Sequence, residues 1–321
     1  MEGASTPAAS GLRVGWQDVP KRVRDAVESW LGSPAVSAAD QSAGFSPGLA
    51  ARVRLADGRR VFLKGAGPEP NADTPSVHRR EIRVAAALPE RVPVPRLLWS
   101  YDEGEGGWVA LLFEDVEGRN PAVPWRPNEL DKTLGALAAL SDLLTPSPLP
   151  LGSAPSAQDW REVAGRHWRG VREERPEGLD AWSAHHLDQL VALEAQASAA
   201  VAGDTLLHLD LRADNLLLTR EGEVLVVDWP HARVGVPWLD PAFFAPSVAM
   251  QGGPKPEELM ERLPQARSAD PDALTAVVAA VAGFFTGESL KPAPPGLPTL
   301  RAFQAAQGEE ARAWLARRAG W

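Results

Sequence analysis

The chain has 321 residues and no cysteine. It therefore forms no disulfide and offers no thiolate for nucleophilic or metal chemistry, which fits a reducing cytoplasm. Lysine is also scarce. Only five of the 33 basic residues are lysine, so a lysine where arginine would serve is informative. At a net charge of −9 the chain lacks the basic excess that neutralises nucleic-acid phosphates, whereas a cationic small molecule remains compatible. Long apolar runs are missing too. The longest, residues 273–285, is interrupted by Thr275 and Gly283 and falls short of the roughly 18 residues a membrane span needs; it reads as a buried helix. MEGASTPAAS, the first ten residues, has neither the basic nor the apolar region of a secretory signal, and no repeat recurs at solenoid spacing. Nucleic acid and membrane are thus not expected partners, the expected location is the cytoplasm, and monomer or homodimer stays open. What is present, 44% hydrophobic and 23% charged residues, suits a globular enzyme large enough for two packed lobes.

The informative stretch is residues 205–241, TLLHLDLRADNLLLTREGEVLVVDWPHARVGVPWLDP. Asp210 and Asn215 lie five positions apart in a polar segment flanked by Leu206-Leu207 and by residues 216–218, a strand, loop, strand pattern. After the Glu221-Gly222 turn, the β-branched run of residues 224–227 reads as a buried strand and ends on Asp228. A charge closing an apolar strand needs a partner. A triphosphate brings negative charge to a reacting centre, so its site must hold magnesium with hard oxygen ligands, which Asn215 and Asp228 can supply. A nearby carboxylate must orient the attacking hydroxyl and accept its proton, a role open to Asp210. One Asp or Asn in a loop is ordinarily a turn former or cap; three in register carry more weight.

The pattern H-x-D-x-x-x-x-N, followed by a strand ending in Asp, resembles the catalytic and metal loops of the aminoglycoside phosphotransferase family, relatives of the protein kinases. The resemblance implies an α+β, protein-kinase-like two-lobe fold: a small N-terminal lobe with an antiparallel sheet (1–116) and a larger, mainly helical C-terminal lobe (117–321). It implies Asp210 as catalytic carboxylate, Asn215 and Asp228 as Mg²⁺ ligands, His208 as support of the loop and Asp240 as its brace. Arg212, implied as a second catalytic residue, stands where protein kinases carry a lysine near the transferred phosphate and would neutralise charge there. Two departures are Leu209, where glycine is common, and Trp229-Pro230 after Asp228.

Elsewhere, Asp18 and Pro20 predict a helix start, with Val23, Val27, Trp30 and Leu31 on one face. Residues 51–55 and 60–63 predict two strands joined by the hairpin turn Asp57-Gly58. The preceding loop of residues 44–48 is a candidate cover for nucleotide phosphates through its amides and Ser46. Lys64, a cation ending a half-buried strand, would meet an anion; by the resemblance it binds the α and β phosphates and is held by Glu81 on a helix over residues 76–88. Residues 97–100 and 108–113 read as a further hairpin running into FEDVEG, which resembles the family hinge, where the Glu114 carbonyl and the Val116 amide would read the base, ATP or GTP. Helices are predicted over residues 128–144, 187–201, 254–263, 273–285 and 299–319. The Trp-rich and charged residues 158–188, with helices after Phe244, are the expected acceptor region.

The expected activity is a phosphotransferase (kinase) moving the γ-phosphate of ATP or GTP to a hydroxyl of a small molecule. An antibiotic, an aminoglycoside or another hydroxylated natural product such as a nucleoside antibiotic, is the leading acceptor, giving resistance by inactivation. The alternatives are a metabolic kinase of an amino alcohol or sugar, and a nucleotide-binding pseudokinase with a regulatory role. A protein kinase is disfavoured because Asp240 follows Asp228 by only 12 residues, too few for a long activation loop.

Overall fold

The computed structural model describes residues 7, 9–42, 44–150 and 152–321; most of the polar tail on which the absence of a signal was read lies outside the described residues. The smaller lobe is built on α1 (Lys21–Leu31), β1 (Ala35–Asp40), β2 (Leu49–Leu55), β3 (Arg60–Ala66), α2 (Thr74–Ala85), β4 (Leu97–Asp102) and β5 (Val109–Glu114). Among the described residues these strands form a five-stranded antiparallel sheet in the order β1-β2-β3-β5-β4. The Asp57-Gly58 hairpin forms as its sequence dictates, Gly58 taking a φ of +89°. β1 carries no strand signal beyond Val36, because an exposed edge strand needs little apolar surface.

Val23, Val27 and Leu31 recur at helical spacing, and α1 buries them in one core with Leu49, Val53, Leu63 and Leu112 of the sheet. Two details differ from expectation. Asp18 closes a short turn and caps nothing, since its amide bonds Gly15 and Pro20 takes the cap position. Trp30 is 45% exposed and stacks on Trp99 at 5.7 Å, so its ring lies along the sheet edge rather than in the core.

The larger lobe follows β6 (Gly118–Arg119): α3 (Pro127–Leu143), the short helices α4 (Arg161–Ala164), α5 (His167–Glu174), α6 (Ala181–His185), α7 (Leu187–Glu194) and α8 (Ala197–Ala200), strands β7 (Thr205–Leu207), β8 (Leu216–Thr219), β9 (Val224–Val226) and β10 (Arg233–Gly235), and helices α9 (Leu239–Met250), α10 (Pro256–Arg262), α11 (Pro271–Ser289) and α12 (Leu300–Ala319). α11 is the expected apolar helix, buried on nearly every side between α12 and the short helices. No helix of the described residues is long and apolar enough to cross a membrane. The single helix expected over 187–201 is two, α7 and α8, with residues 195 and 196 between them.

Two tryptophans of residues 158–188, the expected acceptor region, Trp160 and Trp168, face the core rather than a pocket. Trp168 is fully buried, its indole N–H donating to the Ala279 carbonyl at 2.8 Å, and a Cβ on Gly283 would meet its ring at 2.8 Å. These tryptophans are core, and truncating such a side chain costs about 3–5 kcal/mol.

Candidate active site

A cavity of about 270 Å³ opens between the two lobes, floored by β8 and β9 and roofed by β2 and β3. Leu49, Ala50, Phe62, Leu217 and Val226 give it apolar faces, as a flat heteroaromatic ligand requires. Ser46, Lys64, Glu81, Glu114, Val116, Asn215 and Asp228 line it.

Lys64 on β3 joins three elements. Its Nζ donates to Glu81 of α2 at 2.8 and 3.1 Å and to Asp228, just past β9, at 3.0 Å. Burial disfavours the ammonium, but Asp228 and Glu81 outweigh it and hold its pKa above the ordinary lysine value. The reciprocal effect appears at Asp228, where burial would raise the pKa and Lys64 instead keeps it well below the usual carboxylate range. Asp228 is therefore ionised at neutral pH. Its backbone adopts a φ of +70°, a left-handed conformation that turns the side chain off the strand.

Asp210 and Arg212 form a second cluster, linked to the cavity wall through Asn215 and Asp214. The Asn215 amide donates to the Asp210 carbonyl at 2.7 Å and to Oδ2 at 3.0 Å. Arg212 Nη1 donates to Asp210 Oδ1, and its other nitrogens grip Asp214 at 2.9 and 3.0 Å. Burial raises the Asp210 pKa and Arg212 opposes the rise, so the carboxylate is more basic than an exposed one. The Arg212 guanidinium also lies over the rings of Phe45 and Phe303, 5.3 and 5.7 Å from their centroids.

A buried frame holds this loop. Asp240, at the start of α9, accepts from the amides of His208 at 2.9 Å and Leu209 at 2.7 Å. His208 Nδ1 accepts the Asp210 amide at 3.1 Å, which leaves Nε2 to carry the proton and donate to the Val227 carbonyl at 2.9 Å. Burial keeps this imidazole neutral, as that tautomer needs. Leu209 takes a φ of +62°, the reason glycine suits the position. Trp229 is 3% exposed, packs edge-on against His208 at 4.7 Å and donates to Val226 at 3.1 Å, so it stiffens the frame. Residues after Asp228 pass directly into β10, which pairs with β7, and then into α9, leaving no long loop.

At the hinge, the Glu114 amide donates to Arg96 at 3.1 Å and the Val116 carbonyl accepts from Arg52 Nη2 at 2.9 Å. Asp115, buried behind, lies 3.3 Å from Arg52 and from Arg60. Sequence reasoning missed Arg52, Asp115, His78 and Arg13, all of which line the cavity. Asp115 sat inside a segment already singled out; the others gave no local signal, because only the fold brings β2, α2 and the segment before α1 together at the cavity.

No curated protein matches the sequence. Solved structures share its fold. The chain is similar to a thermostable mutant of aminoglycoside phosphotransferase APH(4)-Ia in ternary complex with ADP and hygromycin B, at 16% identity and a TM-score of 0.61 over 93% of this chain and 99% of that one. It is equally similar to choline kinase LicA from Streptococcus pneumoniae, at 14% identity and a TM-score of 0.62 over 92% and 98% of the two chains. A putative fructosamine-3-kinase from Thermobifida fusca gives 19% identity and a TM-score of 0.57 over 92% and 98%. At these identities the likeness is one of fold. Sequence decides the family: residues 43–277 match the phosphotransferase enzyme family. The chain belongs to that family and is a phosphotransferase acting on hydroxyl groups.

Proposed function

We propose that the protein moves the γ-phosphate of ATP or GTP to a hydroxyl of a small molecule, residues 1–116 seating the nucleotide and residues 117–321 the acceptor. The observation that carries this reading is Lys64, bonded to Glu81 at 2.8 Å and Asp228 at 3.0 Å at the mouth of an apolar cavity. A lysine fixed by two carboxylates is positioned for phosphate oxygens, and it is one of only five in the chain. Ser46 and the amides of its loop would cover the phosphates, and the Glu114 carbonyl and Val116 amide would read the base.

Asp228 and Asn215 fit Mg²⁺: one is an ionised carboxylate, the other an amide held in place, and both are hard oxygen donors on the cavity wall. Magnesium bound there supplies neutralisation of phosphate charge. Asp210 orients the acceptor hydroxyl and takes its proton, and its raised pKa suits a proton acceptor. Arg212 sets the charge and direction of Asp210 through their ion pair.

An antibiotic is the leading acceptor, with inactivation of the drug as the result. An amino alcohol or sugar is the second reading, because the fold is as close to a choline kinase as to an aminoglycoside phosphotransferase. The test is nucleoside diphosphate release with ATP and with GTP across hydroxylated antibiotics, amino alcohols and sugars. Turnover restricted to antibiotics supports the first reading and turnover on choline-like or sugar acceptors the second. Nucleotide binding without turnover on any acceptor would favour a regulatory pseudokinase in the cytoplasm.

A further inference from the structure

Gln41, Ser42, Gly44 and Ser46, between β1 and β2, line the cavity, and a distant residue shapes this loop. Residues 12–14 run alongside Gly48: the Gly48 amide donates to Leu12 at 3.0 Å and its carbonyl accepts from Val14 at 3.0 Å. Gly48 has a φ of +121°, and a Cβ there would come within 2.4 Å of the Gly65 carbonyl, so only glycine allows this approach. The pairing sends the Arg13 side chain under the loop. Its Nε donates to the Gln41 carbonyl at 2.8 Å, Nη1 to the Ser46 carbonyl and Nη2 to the Gly44 carbonyl at 3.3 Å. One guanidinium thus gathers carbonyls from both arms of the loop.

The direction of these dipoles matters to an anion. A loop that covers phosphates through its amides must keep its carbonyl oxygens turned elsewhere, because each presents negative partial charge. A planar fork can hold several carbonyls at once, which an ammonium cannot. Arg13 also lines the cavity, so its charge stands on the wall the phosphates would face. Resting on the reading of this cavity as a nucleotide site, we propose that Arg13 is a positioning residue for the donor phosphates: it occupies the carbonyls of Gln41, Gly44 and Ser46, so that they do not face the anion, and adds fixed positive charge to the cavity wall that Lys64 also lines.

The test compares the wild-type protein with Arg13→Ala and Arg13→Lys by calorimetry, using a non-hydrolysable triphosphate, the diphosphate and the free nucleoside of whichever base the wild type prefers. Melting temperatures establish that each variant is folded. Arg13→Ala should bind the triphosphate at least tenfold more weakly while nucleoside affinity stays within about twofold. Arg13→Lys, which keeps charge but not the fork, should recover only part of the loss. Unchanged triphosphate affinity in Arg13→Ala, an equal loss of nucleoside affinity, or full recovery in Arg13→Lys would each overturn the assignment. If the wild type itself binds no nucleotide, the nucleotide-site reading falls and takes this one with it; a binding wild type with a silent Arg13→Ala removes Arg13 alone.

Discussion

Two loops face each other across the cavity, and they are held in different ways. The loop of residues 208–215 is braced by buried groups: Asp240 on its amides, the His208 ring on Asp210 and Val227, Asn215 on Asp210. Among the described residues, the loop between β1 and β2 is held from outside: Arg13 holds the carbonyls of Gln41 and Gly44, the Gly44 and Gly48 amides donate to Ala9 and Leu12, and Phe45 meets Phe303 of α12 edge-on at 5.0 Å. A frame of buried, mutually satisfied hydrogen bonds is rigid. The part-buried contacts of one guanidinium and one edge-on ring pair can part without unfolding either lobe. On the proposed function, the rigid loop would carry the chemistry and the other loop adjustable binding. Substitutions in the first should then depress kcat and substitutions in the second should raise nucleotide KM.

The largest effect is expected at Asp228. Asp228→Asn keeps the size of the side chain but removes the charge that pairs with Lys64 and would ligate magnesium. Transfer should fall by on the order of 10³ or more, the scale of losing a group that stabilises transferring phosphate. Glu81 still pairs with Lys64, so the fold should survive. Near-normal turnover at saturating magnesium would remove Asp228 from the site.

Asp210→Asn comes next. It retains a hydrogen-bonding partner for Asn215 while abolishing the proton acceptor, so kcat should drop about 10² to 10⁴. Nucleotide affinity and melting temperature should change little, because the buried frame acts on backbone amides. A variant that melts early yet turns over normally would make Asp210 scaffold.

Phe45→Ala probes the other loop. Edge-on aromatic pairs contribute about 0.5–1.5 kcal/mol and a cation–π contact at least about 0.5–1 kcal/mol, so nucleotide KM should rise about fivefold or more with kcat within about twofold. Should kcat fall instead with KM unchanged, the division of labour between the loops is wrong.

The same contrast explains what the sequence revealed. Asp210, Asn215, Asp228 and Asp240 were readable because their geometry is fixed by two short strand pairs and a helix start within one stretch of residues 205–241. Lys64 and Glu81 were readable because a strand end and a helix face leave few places for a charge to go. Arg13 was not, since its partners depend on the path of a segment packed against Gly48, and Phe303 was not, since α12 returns to Phe45 and Arg212 only after the whole helical lobe is built. Trp160 and Trp168 misled for a related reason: an aromatic-rich polar stretch looks like a pocket wall until α11 covers it.

The smallest effect on chemistry, and the sharpest test of the rigid frame, is expected at Leu209. Its left-handed backbone costs a non-glycine residue roughly 1–2 kcal/mol, so Leu209→Gly would relieve strain. The side chain, however, is only 3% exposed and belongs to the core of the larger lobe. Truncating a buried leucine costs about 2–5 kcal/mol, and glycine adds about 0.5–1 kcal/mol of backbone entropy in the unfolded chain. Burial wins over strain, and Leu209→Gly should be less stable by about 0.5–5 kcal/mol, read from the midpoint of urea unfolding. Because Asp240 grips the loop through backbone amides that glycine retains, kcat measured well below the melting temperature should stay within about threefold. A more stable variant would show that strain outweighs packing here; a stable but inactive one would show that the leucine side chain, rather than the Asp240 carboxylate, keeps Asp210 in place.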